Sequence, residues 1–206
     1  MTYYAPALAI LLLLPLQVAA QNATVIAPVF SQLITGPLPD GFAPVFENAN
    51  ATGYINEAVL KGETIETWTQ LITLTGAKGL AVGDGATTAI GFADYLAGSY
   101  KSACPDTAVA EQFETPKIRG AREVFMGYLS CGSVNNGPHS ESMVFLVMVG
   151  AQDIYTLQWA ERGDRASAGL GYAVDKWAGR LDLMLKSVRL CEILSGEAAP
   201  YPSCTP

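Results

Sequence analysis

Apolar and polar positions along the chain fall into a series of strand-like runs interrupted by two helix-like stretches. Gly41 to Glu47 and Tyr54 to Leu60 read as strands flanking the polar turn Asn48 to Gly53. Gly62 to Trp68 reads as a turn. Thr69 to Thr75 is rich in β-branched residues and predicts a third strand. From about Ala86 to Ser102, Ala89, Phe92, Ala93, Leu96 and Tyr100 recur at helical spacing, with Asp84 placed to cap that helix. Val109 to Ile118 predicts an edge strand, because Pro116 cannot donate to a ladder. Glu123 to Ser130 predicts a clearer strand, and Cys131 to His139 a turn. Met143 to Val149 is continuously apolar and too short to span a bilayer as a helix, so it reads as a central strand covered on both faces. In Ile154 to Ala160, Tyr155, Leu157 and Trp159 share one face, completing an antiparallel meander. A second helix is expected from about Ala173 to Leu190. Its apolar side comprises Val174, Trp177, Leu181, Met184, Leu185 and Val188, and Asp182–Lys186 forms an i,i+4 pair.

The ends of the chain show no such periodicity. Residues 21–40 hold Pro28, Gly36, Pro37 and Pro39 and read as an extended N-terminal segment. Glu192 to Pro206 reads as a tail. The fold class is α+β: a single domain over 41–206, a mainly antiparallel sheet packed by two helices in an α/β sandwich.

Residues 1–20 change the picture of where this domain works. Ala7 to Leu16 is a Leu-rich run broken at Pro15, followed by Val18-Ala19-Ala20 and the polar pair Gln21-Asn22. This is the layout of a signal peptide cleaved after Ala20, although no Lys or Arg precedes the run. An uncleaved anchor would be short against the roughly 20 apolar residues a span needs. A lipoprotein would need Cys where Gln21 stands. The expected location is periplasmic or secreted, with no stable membrane insertion after cleavage.

The four cysteines fit that address. An even number in an oxidising compartment permits two disulfides, and proximity with element order favours Cys104–Cys131 and Cys191–Cys204. Closing loops of 28 and 14 residues would contribute about 3.6 and 3.0 kcal/mol in the loop-entropy picture. A metal or redox site is the alternative, but no CxxC spacing exists and His139 is the one histidine, so no metal and no cofactor is expected. The net charge of −7 would be repelled by phosphate backbones, which argues against nucleic acid.

Candidate chemistry is sparse. Gly83-Asp84-Gly85 and Gly169-Leu170-Gly171 do not extend to a nucleotide loop, and Gly127 to Gly132 only superficially resembles a serine elbow. His139-Ser140-Glu141 offers a general base beside a hydroxyl, against a bland reading as a polar turn. Glu57, Glu63 and Glu66 cluster near Trp68, where paired carboxylates could do acid–base work. Glu57 could equally pair with Arg119 or Arg122. Asn22-Ala23-Thr24 and Asn50-Ala51-Thr52 are sequons that matter only in a eukaryotic source.

The run Tyr54-Ile-Asn-Glu57 … Gly62-Glu63 … Trp68-Thr69 … Thr73 resembles a segment of small exported bacterial proteins that share no established activity. Gly150 to Tyr155 and on to Arg162 fits the same pattern. The order of elements over about 41–190 is also similar to the compact α/β sandwich of the photosystem II PsbP group. The resemblance implies the fold and transfers no activity. Taken together, the residues favour an exported non-enzymatic domain that binds a protein or small ligand, or assists the cell envelope. The candidate residues are Glu57, Glu63, Trp68 and His139. An exported hydrolase using His139 or the Glu57/Glu63 carboxylates is the second reading, and a secreted effector presenting Ser133 to Ser140 the third.

Overall fold

The computed structural model describes residues 23–205; the expected signal segment 1–20 and the Asn22 sequon position lie outside the described residues. In chain order the elements are β1 (Ala23–Val29), β2 (Gln32–Leu38), β3 (Phe42–Ala49), β4 (Gly53–Leu60), β5 (Gln70–Ala77), α1 (Ala89–Ala103), β6 (Ala108–Gln112), β7 (Glu123–Cys131), β8 (His139–Val149), β9 (Ile154–Asp164), α2 (Val174–Ser187) and β10 (Leu190–Glu192). A seven-stranded sheet runs in the order β3-β4-β5-β9-β8-β7-β6, and a three-stranded sheet in the order β1-β2-β10. Every pairing is antiparallel. The fold is α+β, mostly antiparallel sheet with two helices.

The continuous apolar run finds its explanation in β8, which lies inside the large sheet with both faces covered. Because side chains alternate across a strand, Met143, Phe145 and Val147 enter one buried cluster with Ala89 and Ala93 of α1. Val144, Leu146 and Met148 enter another with Trp177, Leu181 and Met184 of α2. The helices therefore pack on opposite faces of the sheet. The face on α2's side also receives Val29 and Ile34 from the small sheet. Both β8 and β9 extend further than their apolar runs, back to His139 and on to Asp164, where polar residues continue the ladder.

The N-terminal stretch corrects an expectation. Within residues 21–40, read as an extended lead-in, Ala23 to Leu38 form the hairpin β1–β2. Its prolines sit where a missing N–H does little harm. Pro28 is on the edge strand β1, and Pro37 lies beyond the reach of β10, which pairs only with Gln32 to Ile34 of β2. The hairpin tip is anchored by Asp153, a carboxylate that is 2% exposed. It accepts the amide of Ser31 (3.0 Å), the Ser31 hydroxyl, the amide of Gly79 (2.7 Å) and the Tyr155 hydroxyl (3.3 Å). Burial pushes this carboxyl upward, but the donors outweigh it and hold it below the usual aspartate range.

Two smaller expectations also change. Thr88, not Asp84, caps α1: its hydroxyl accepts the amide of Gly91 at 3.1 Å. Glu123 of β7 adds a second acceptor at that helix start, taking the amide of Ala89 at 2.9 Å. Val174, expected in the buried stripe of α2, is 62% exposed, since the helix only begins there. The remaining stripe residues hold α2 to the sheet, with Glu161 of β9 bonding Lys176 and Arg180 and Arg180 lying 4.6 Å from the Trp177 ring centre. Cys104 pairs with Cys131 and Cys191 with Cys204, each at a Cα–Cα distance of 5.7 Å. The first ties the end of α1 to β7, and the second ties β10 to the tail. Among the described residues no helix is long and apolar enough to cross a membrane.

Candidate functional site

The register of β8 on β9 builds one end of the sheet face that carries α1. On that face Met143 opposes Ala160, Glu141 opposes Arg162, and His139 opposes Asp164. The segment between β4 and β5 folds against the same end. Trp68, 6% exposed, packs into the α1-side cluster with Val59, Leu71 and Ala160. The result is a cleft of about 370 Å³ lined by Glu66, Thr67, Trp68, Thr69, His139, Arg162, Gly163 and Asp164.

Arg162 organises this cleft. Its guanidinium lies 3.9 Å from the Trp68 ring centre, donates to the Glu141 carboxylate at 2.9 Å and donates to the Glu66 carbonyl at 3.3 Å. A stacked, ion-paired guanidinium is a fixed structural brace for the loop that carries Trp68. Trp68 accordingly presents little free ring to a ligand. Glu63 stiffens the same loop by accepting the amide (2.9 Å) and hydroxyl (2.6 Å) of Thr69. Desolvation acts upward on the Glu63 carboxyl, yet these and further amide donors pull it below the usual glutamate range. Glu66 is also held low, chiefly by the hydroxyl of Thr64 at 2.6 Å. The rim is acidic: Glu66 and Asp164 stand exposed, and the one Arg is already matched by Glu141.

The candidate residues separate into two places. Trp68 and His139 meet in the cleft, and Glu63 supports it through Thr69. Glu57 does not join them. It lies on β4 with Phe46 opposite on one side and Thr73 on the other, several residues along the same face. The ion pair of Glu57 with Arg119 or Arg122 is not formed, because Arg122 donates instead to the carbonyls of Gly150 and Ala81, both at 2.7 Å. Among the described residues Glu57 has no salt bridge or side-chain hydrogen bond, and burial pushes its carboxyl above the usual glutamate range. His139 is exposed, and among the described residues no hydroxyl, thiol or carboxylate is hydrogen-bonded to its imidazole.

Other motifs resolve into structural roles. Ser130, in the sequence superficially like a serine elbow, is buried and donates to the Leu170 carbonyl at 2.6 Å. Gly169 packs so close to Val109 and Thr107 that a Cβ would collide with both. Asn135 and Asn136 adopt left-handed backbone in the turn before β8, a conformation Asn tolerates. No group of His, Cys, Asp and Glu suited to a metal ion exists among the described residues. Sequence reasoning did not single out Asp164 or the brace at Arg162. The signal was the alternation of β9 continued past its apolar stretch, which puts both on the face of Ala160.

No family model matches the chain, and no curated protein matches it. Solved structures similar in outline include the following three. The Saccharomyces cerevisiae Ran-binding protein Mog1p aligns at 10% identity and TM-score 0.46, over 84% of this chain and 97% of its own. The cyanobacterial PsbP of Synechocystis aligns at 9% identity and TM-score 0.45, over 84% and 95%. LpqN, involved in cell envelope biogenesis of Mycobacterium tuberculosis, aligns at 11% identity and TM-score 0.40, over 82% and 92%. None of these similarities assigns a role to a residue of this chain.

Proposed function

We propose that this chain is an exported, disulfide-stapled α/β sandwich that binds a protein or small ligand through the Trp68–His139 cleft and does not turn over a substrate. One observation carries the reading. The cleft holds its cation fully employed in bracing the fold, while its exposed groups, Glu66, His139 and Asp164, are not hydrogen-bonded into an acid–base set. General acid–base catalysis needs base and nucleophile within hydrogen-bond reach, directly or through one water. A braced cleft with an acidic rim instead suits recognition of a group that donates hydrogen bonds or carries positive charge. The disulfides fit the oxidising space outside the cytoplasm, and periplasmic or secreted placement belongs to the same proposal.

The test is capture of a ligand or partner from the protein's own compartment under non-reducing conditions, comparing the native chain with a Glu66→Gln/Asp164→Asn variant. Recovery of the same species with the native chain, and its loss with the variant, is the expected result. A hydrolytic activity abolished by His139→Ala would overturn the reading.

A further inference from the structure

The α1-side face carries a second polar feature, independent of the cleft. Helix α1 lies over β6, β7 and β8, so among the described residues no helix lies above the half of that face formed by β9, β5, β4 and β3. Register places Phe46, Glu57, Thr73 and Gln158 in one row across this half. The reverse sides of the same strands are apolar, with Ala58, Ile72, Leu74 and Leu157 all in the core. Polar residues on an open face are ordinarily just solvated. Here, however, Thr73 is only 8% exposed and Thr156, in the adjoining row, only 1%.

Hydrogen bonds within these two rows decide what the strip offers. Thr75 and Thr156 pair their hydroxyls at 2.7 Å, and Gln158 donates its amide nitrogen to the Thr156 hydroxyl at 3.0 Å. That donation leaves the Gln158 carbonyl oxygen and one amide N–H unengaged. The row thus holds three groups that can accept in sequence: the Glu57 carboxylate, the nearly covered Thr73 hydroxyl and the Gln158 carbonyl. Neighbouring strands are about 5 Å apart, so the backbones of Glu57 and Gln158 stand about 10 Å apart, a gap that two long side chains can narrow over Thr73. Glu57 is half-buried without a partner cation among the described residues, an unfavourable arrangement that a partner's charge would relieve. Phe46, 37% exposed at the end of the row, adds a ring against which a planar cation can lie.

We propose that this strip is a docking site for an arginine side chain of a protein partner, with the guanidinium taken between Glu57 and Gln158 over Thr73. A guanidinium carries five donors in a fixed plane and no acceptor, so it can donate to the Glu57 carboxylate and the Gln158 carbonyl together, with the Thr73 hydroxyl oxygen between them. The strip's own charge selects a cation, and acceptors on either side of Thr73 select a fork over a point charge.

The experiment is an NMR titration of the isotope-labelled protein with acetyl-Gly-Arg-Gly-amide. The matched peptides carry citrulline, which is neutral and nearly isosteric, or lysine. The expected result is saturable shifts centred on the amides of Phe46, Glu57, Thr73 and Gln158, at least tenfold weaker binding of the citrulline peptide, and clearly weaker binding of the lysine peptide. Glu57→Gln should remove the response while leaving the rest of the spectrum unchanged, and Gln158→Leu should weaken it severalfold. The Glu66→Gln/Asp164→Asn variant should bind as the native chain does, which separates this site from the cleft. Equal binding of the citrulline or lysine peptide, an undiminished response in Glu57→Gln, or shifts confined to the cleft would each overturn the proposal.

Discussion

Removing the Asp153 carboxylate is expected to unfasten three segments at once. The group is buried, accepts the Ser31 amide and hydroxyl and the Gly79 amide, and shares the Tyr155 hydroxyl with the Val29 carbonyl. Hydrogen bonds to a charged group contribute about 1.5–3 kcal/mol each, and donors left unpaired cost about 1–3 kcal/mol each, though neither set adds simply. Asp153→Asn keeps the shape but turns an amide donor toward one of these donors. We expect it to lose about 3–4 kcal/mol, a large share of the 5–15 kcal/mol typical of a domain. With a urea m-value of about 2 kcal/mol/M, the midpoint should fall by roughly 1.5–2 M. Amide exchange at Ser31 and Gly79 should accelerate more than elsewhere.

The pH dependence of the same variant supplies a separate check. Asp153 is held below its unfolded value, so its contribution is present above that value, about 3.9, and is lost as pH falls through the folded value. The gap between native and variant chains should therefore be constant near neutrality and shrink in acid. A loss under 1 kcal/mol, or a gap that persists undiminished into strong acid, would refute the reasoning.

Further outcomes follow from other sites. Replacing Cys191 and Cys204 by Ser should cost about 3 kcal/mol by loop entropy and release the tail to protease, measured by urea unfolding and limited proteolysis. Gly120 has φ +79°, and a Cβ there would strike the Leu190 carbonyl; Gly120→Ala should cost about 3 kcal/mol or fail to fold, read by thermal unfolding. Burial raises the Glu57 carboxyl, so its charge opposes folding as pH rises above the unfolded value of about 4.3. Glu57→Gln should therefore be more stable than the native chain at neutral pH and equal to it below about pH 4, in the same unfolding assay.

Legibility in the sequence tracked how locally each feature is encoded. Met143 to Val149 announced a doubly covered strand because both of its faces are apolar, and Trp177, Leu181 and Met184 announced a buried helical stripe. The hairpin β1–β2 stayed hidden because Pro28, Pro37 and Gly36 look like breakers; Pro28 is tolerated because β1 is an edge, and Pro37 because β10 stops at Ile34, a fact encoded some 150 residues away. Asp84 looked like the cap of α1, and only the three-dimensional path showed Thr88 and Glu123 sharing that work. The cleft was half visible. Trp68 and His139 could be named from sequence, but their meeting depends on the β8–β9 register that opposes Glu141 to Arg162 and His139 to Asp164. Glu57 could be named too, yet its lack of a partner follows from Arg122 being claimed by two carbonyls.

The small sheet also imposes an order of events. Its middle strand, β2, has one neighbour, β1, made immediately before it and another, β10, made near the far end of the chain. While the chain emerges from a ribosome or threads through a translocation pore, Gln32 to Ile34 must wait with one edge open until Leu190 to Glu192 arrive. The last strand to appear closes the first sheet, and the Cys191–Cys204 bond then locks that closure. A nascent chain halted before residue 190 therefore holds its first hairpin unsealed, available to a chaperone and unable to complete the native core.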